Sequence, residues 1–159
     1  MINRRMSSGL IGAMALTLSG CSGGRPPLAP GVAESQLAPC PASPNCVSSR
    51  ADAAEQRVEP LSYTGEAAPA RTRLLNILRR MERVRIVQSR DDYLHAEFRS
   101  AVFGFVDDGE FYFHPSGTIQ VRSASRSGYY DFGVNRERVE GVRAQFDAAL
   151  AKITSTTAK

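Results

Sequence analysis

Between positions 121 and 140 the chain gathers Arg122, Arg126 and Arg136 with Ser123, Ser125, Asp131 and Asn135. A guanidinium's planar fork matches a carboxylate or a phosphate, and the free N–H groups at a helix start attract the same ligands. With Arg99 these residues form a candidate pocket for a small anion or a lipid headgroup. The same side chains also suit internal roles. Asp131 can pair with Arg126 or Arg136, Asn135 can cap a following helix, and the serines can satisfy loop backbone. A second group, His95 and Glu97, alternates along the run Tyr93–Arg99 and offers a weak acid–base candidate. No nucleophile elbow, phosphate loop or Ser-His-Asp order accompanies it, so a merely solvated polar face competes and no catalytic residue is assigned. A third group is Cys40 and Cys46, with five residues between them. That spacing is not the thioredoxin-like one, and His95 and His114 are the only histidines available to complete a zinc site. A structural disulfide is therefore expected ahead of a redox pair or a metal site, and neither metal nor cofactor is expected.

The third cysteine, Cys21, belongs to a different feature. Asn3, Arg4 and Arg5 precede the apolar run from Gly9 to Leu18, and Leu18-Ser19-Gly20-Cys21 closes it. An apolar stretch of about ten residues is half of the roughly 20 that a spanning helix needs, so residues 1–20 read as an export signal. Leu-Ser-Gly-Cys resembles the lipobox of bacterial lipoproteins, whose cysteine is acylated and becomes the new N-terminus. An ordinary secretory signal with a chance cysteine is the competing reading. Two or more acyl chains anchor a protein stably where one does not. The resemblance implies a protein lipid-anchored to the cell envelope through Cys21. Ser22, in place of aspartate, points to the periplasmic side of an outer membrane if the organism has one. In that oxidising compartment two remaining cysteines normally pair.

Composition narrows the partners. The 159 residues are 42% hydrophobic and 23% charged, enough for one buried core and not a disordered composition. Setting Arg4 and Arg5 aside leaves 18 of the 20 basic residues against 16 acidic ones. That balance gives no electrostatic case for nucleic acid. The expected partners are the membrane through Cys21 and a small anion, a lipid headgroup or an envelope protein.

The elements that must position these groups follow from periodicity. Residues 21–38, rich in Gly, Pro and Ala, read as a flexible tether, and a single domain is expected over 39–153 with a disordered tail at 154–159. Pro69 followed by Leu74, Leu75, Ile77, Leu78 and Met81 predicts a helix, with Arg79, Arg80, Arg83 and Arg85 as a basic run at its end. That run suits the helix dipole or weak contact with anionic headgroups. Val84–Val87 and Tyr93–Arg99 predict strands, the second with Leu94, Ala96 and Phe98 inward and Tyr93, His95, Glu97 and Arg99 outward. Phe103 and Phe105 have the opposite parity from Phe98, so a bulge or break is expected near 100–102 if all are buried. Asp107-Asp108-Gly109 reads as a hairpin turn, and His114–Gly117 as another. Val139, Val142, Phe146, Leu150 and Ile153 predict an amphipathic helix over about 135–153. The expectation is an α+β fold: a small antiparallel sheet of about four to five short strands with helices on one face.

Four stretches carry a further resemblance: Cys40–Ser49, Tyr93–Ser100, Phe103–Asp108 and Arg122–Glu140. They resemble the bacterial family called domain of unknown function 1499. That family shows a Cys-Pro-x-Ser-Pro-Asn-Cys-Val-Ser-Ser start, a Tyr-Leu-His-Ala-Glu-Phe-Arg-Ser strand, a Phe-Gly-Phe-Val-Asp-Asp hairpin and an Arg-Ser-Ala-Ser-Arg close leading to Asp-x-Gly-x-Asn-Arg-x-Arg-Val-Glu. Gly109 stands where an apolar residue is expected. The resemblance implies no established activity, so a non-catalytic binding domain, a hydrolase-like enzyme and a purely structural envelope protein all remain open.

Overall fold

The computed structural model describes residues 32–33, 36–114 and 117–157. The expected export signal, Cys21 and most of the tether lie outside the described residues. Two short strands, β1 (Val32–Ala33) and β2 (Gln36–Leu37), pair with each other. They are followed by β3 (Cys46–Ser48), β4 (Leu61–Ser62), α1 (Ala67–Arg80), β5 (Val84–Ser89), β6 (Tyr93–Arg99), β7 (Val106–His114), β8 (Thr118–Ser125) and α2 (Val134–Thr157). One antiparallel sheet runs in the order β3-β8-β7-β6-β5, with β4 also on β8. The fold is α+β as expected, but the sheet has six strands rather than four to five. The extra ones are the short β3 and β4, too brief to show a period.

The two helices cover one sheet face. Ala70, Leu74, Leu75 and Leu78 of α1 and Val139, Val142 and Phe146 of α2 recur at helical spacing. They bury against Leu94, Ala96 and Phe98 of β6, Phe111 and Phe113 of β7, and Ile119 and Val121 of β8. Burying side chains of this size contributes about 1.5–3 kcal/mol each, so this layer dominates the fold's stability. α1 stops at Arg80 because Met81 turns extended, with φ −75° and ψ 137°. α2 runs to Thr157, past the expected end at 153, so residues 154–157 of the expected tail are helical.

Three local expectations are corrected. Asp107-Asp108-Gly109 is not a turn but lies inside β7, opposite Phe98, Glu97 and Ala96 of β6. Its turn propensity is overridden because both aspartates find cationic partners, and because the Phe98 ring occupies the space above Gly109. A Cβ at Gly109 would lie 2.4 Å from Phe98 Cε2, which explains the departure from an apolar residue there. The reversal occurs at residues 100–105 instead, so the strand does break near 100–102 as expected, but Phe103 and Phe105 are exposed rather than buried. Finally, the polar face is not solvated. Tyr93, His95, Asp108, Glu110 and Arg122 are buried. β2 lies beside β7 and β8, and Leu37, expected in the tether, packs with Tyr93 and Tyr112.

Candidate functional site

The antiparallel register places Glu110 of β7 between His95 of β6 and Arg122 of β8, and Asp108 between Glu97 and Ala124. Side chains of one parity therefore meet on the face away from the helices. Tyr93 Oη donates to Glu110 Oε1 at 2.8 Å, and Arg122 Nη1 donates to Glu110 Oε2 at 2.7 Å. Glu110 is 0% and Arg122 2% exposed, a pair wholly removed from water, and Arg122 Nε is buried without a partner. Burial and the adjacent Glu110 carboxylate push the Tyr93 hydroxyl well above its usual range.

Next along the face, His95 Nε2 lies 2.7 Å from Asp108 Oδ1. Arg126 donates to both Asp108 oxygens, at 2.7 and 2.9 Å, and to Glu97 Oε1 at 2.6 Å. Arg85 closes the series on Glu97 Oε2 at 2.7 and 3.0 Å. Burial alone would raise the Asp108 carboxyl, but the hydrogen bonds from His95 and Arg126 outweigh it and hold the group at about 2. For Glu97 a burial effect is likewise outweighed by Arg85 and Arg126, and its carboxyl is lowered. The Asp108 hydrogen bond raises the Arg126 guanidinium further. His95 and Glu97 are thus brought together, but as members of a paired network.

The opposite face of β7–β8 carries a second polar node. Asn135 sits in the first turn of α2, 0% exposed. Its Oδ1 accepts from Ser123 Oγ at 2.6 Å and from Arg138, while its Nδ2 donates to Asn45 O at 3.0 Å, Ser125 Oγ at 3.0 Å and Asp131 Oδ2 at 2.8 Å. The helix start is capped by Asp131 rather than Asn135. The Asp131 carboxylate accepts from Gly133 N–H and Asn135 N–H, both at 3.0 Å. Burial would raise this carboxyl, and those N–H groups lower it instead. Arg138, which sequence reasoning passed over, donates to Asp107 Oδ2 at 2.6 Å and lies over the Phe98 ring at 4.8 Å. Arg136 points elsewhere, to the carbonyls of Arg57 and Glu55, both at 2.8 Å. The expected arginine-rich group is therefore dispersed over both faces, with its members committed to carboxylates and carbonyls.

Cys40 and Cys46 are disulfide-bonded, with Cα atoms 5.6 Å apart. The bridge shapes the loop whose Asn45 donates to Gly128 O at 2.6 Å and accepts from Ser125 N–H at 3.0 Å. It so ties the start of β3 to the end of β8. Among the described residues no group of three or more His, Cys, Asp or Glu is placed to hold a metal ion.

Among the described residues an open cleft lies at the sheet's β5–β6 edge. Arg83, Val84, Arg85, Glu97, Arg99 and Val106 line a cleft of about 240 Å³. Arg99 donates to Gly104 O at 3.1 Å, and Arg83 to Glu82 at 3.0 Å in a pair exposed to water. The cleft's one carboxylate, Glu97, is held by Arg85 and Arg126. Of the expected site residues only Arg99 and Glu97 reach this cleft. Arg83 and Arg85 were legible only as a basic run.

A six-stranded antiparallel sheet with two helices on one face and a buried ion-paired network on the other defines an α+β domain with one arginine-lined edge. The family model described as "Protein of unknown function (DUF1499)" matches residues 36–146, and the chain belongs to that family. No curated protein and no solved structure matches it.

Proposed function

We propose that the protein is an envelope lipoprotein, acylated at Cys21, whose folded domain binds an anionic group without catalysis. The observation that carries the binding reading is the cleft itself: three arginines, Arg83, Arg85 and Arg99, line a space whose single carboxylate, Glu97, is held by Arg85 and by Arg126. A phosphate or carboxylate entering it meets charge-assisted donors. Nothing in the geometry favours a hydrolase, because His95 is buried against Asp108 and Glu97 accepts from two arginines.

Thermal melts at constant ionic strength test the cleft. Arg99→Gln removes an exposed charge, so the unliganded protein is expected to lose no more than about 1 kcal/mol. Phosphate at tenfold its Kd stabilises the wild type by about 1.4 kcal/mol, and Arg99→Gln by less. Equal phosphate shifts in both proteins contradict the cleft. The anchor is tested separately. Cys21→Ser is expected to move the protein out of the membrane fraction and abolish palmitate labelling, and equal labelling of wild type and variant contradicts acylation at that position.

A further inference from the structure

Two loops leave the same end of the sheet. Arg99 pairs with Val106, and Asp107 with Ser125, so the β6–β7 loop (100–105) and the β8–α2 loop (126–133) emerge side by side. Both expose large apolar side chains. Val102, Phe103 and Phe105 are 82%, 77% and 55% exposed in the first, while Tyr129, Tyr130 and Phe132 are 65%, 65% and 92% exposed in the second. Burying such groups in the core would have been favourable, and their concentration at one end is the kind of apolar display that marks an interaction surface. Phe132 adds a second sign. It holds φ at +56°, in the left-handed region that bulky side chains avoid, yet it gains no buried contact in return.

The same end is basic. α1 ends there, since Val84 pairs with Phe98 and Arg99 N–H donates to Arg83 O. Arg79, Arg80, Arg83, Arg85 and Arg99 stand around it against Glu82, Glu97 and the capping Asp131. Aromatic rings beside cationic side chains suit the boundary between anionic headgroups and acyl chains, where the rings bury and the guanidinium groups pair with phosphate. We propose that this end docks on an anionic phospholipid surface, with Phe103, Phe105 and Phe132 entering the headgroup–acyl boundary. An anchor at Cys21 permits this geometry. Residues 22–31 span up to about 35 Å when extended, against about 30 Å for the nine-residue β7. The docking surface shares Arg83, Arg85 and Arg99 with the anion cleft, but the aromatic loops with Arg79 and Arg80 at the end of α1 carry it even if free phosphate has no affinity for the cleft.

The chain contains no tryptophan, so a single introduced indole reports depth. Phe103→Trp, Phe132→Trp and, at the opposite end of the sheet, Asp91→Trp are made in the full chain. Each is added to phosphatidylcholine–phosphatidylglycerol vesicles carrying brominated acyl chains. Trp fluorescence in the first two variants is expected to shift blue and be quenched by bromine, with the Asp91→Trp protein unaffected. Arg79→Gln and Arg80→Gln, placed in the Phe103→Trp protein, should lower the docked-to-free ratio roughly fivefold per charge. An unquenched Phe103→Trp and Phe132→Trp pair overturns the proposal, whether or not the chain sediments with the vesicles. A blue shift without bromine quenching, accompanied by dimer formation, overturns it in favour of a second copy of the chain covering the loops.

Discussion

Glu110→Ala is expected to destabilise the domain by about 3–5 kcal/mol, because it leaves the Arg122 charge buried without its carboxylate. The loss is not that of one hydrogen bond. Arg122 is 2% exposed and its Nε is already without a partner, so no water replaces the missing oxygen. Tyr93 Oη loses its acceptor as well. Against a total stability of about 5–15 kcal/mol for an ordinary domain, such a variant is marginal. Joint replacement with apolar residues behaves differently: Glu110→Leu with Arg122→Met should recover most of the loss, since the desolvation of both charges disappears together. Urea unfolding of the three proteins checks this. A Glu110→Ala loss below about 1 kcal/mol, the value of an exposed pair, contradicts the buried network.

The second large effect centres on Asp108. Arg126→Gln is expected to cost about 2–4 kcal/mol, a little below the fully buried range because Arg126 is partly exposed whereas Asp108 is not. The same contacts give the fold a pH dependence. Asp108 is held at about 2 in the folded chain against an ordinary value of 3.8. A lowered carboxyl contributes stability that is fully present above the unfolded value and is lost as pH falls through the folded one. The contribution is about 2 kcal/mol, present above roughly pH 5 and lost between about pH 4 and pH 2. Glu97 and Asp131 are lowered too, and their contributions fade in the same direction. Urea midpoints from pH 7 to pH 2.5 should therefore fall less steeply with acid in Asp108→Asn than in wild type. Identical acid slopes in the two proteins contradict the assigned role of Asp108.

These effects mark where the sequence stopped being informative. Helix and core positions were legible because Leu74, Leu78, Val139, Val142 and Phe146 repeat at a helix's period, and Leu94, Ala96 and Phe98 at a strand's. The alternation in 93–99 also sorted the faces correctly. It could not tell that the polar face is covered, since that depends on Leu37 arriving from a segment with no apolar period, and on Glu110 and Asp108 arriving by register. Asp107-Asp108-Gly109 misled because local turn chemistry and a buried ion-pair strand use the same residues. Arg122, Arg126 and Arg136 looked like one group because they are close in sequence. In the fold Arg122 and Arg126 follow one strand face at different carboxylates, and Arg136 leaves on the helix. Arg83, Arg85 and Arg99 meet only because β5 and β6 pair.

Arg122, Arg126 and Arg138 are thus held on the buried carboxylates Glu110, Asp108 and Asp107. Arg83 and Arg99 instead border an open cleft beside Arg85 in its exposed pair with Glu97, and that difference is what the binding account stands on. Side-chain Nε–Hε resonances of arginine-labelled protein, followed by NMR while inorganic phosphate is added at constant ionic strength, observe both sets at once. The account predicts saturable shifts for Arg83, Arg85 and Arg99, with Arg122 and Arg138 stationary. Shifts that grow without saturation, or that are equal in both sets, contradict an anion site at this edge.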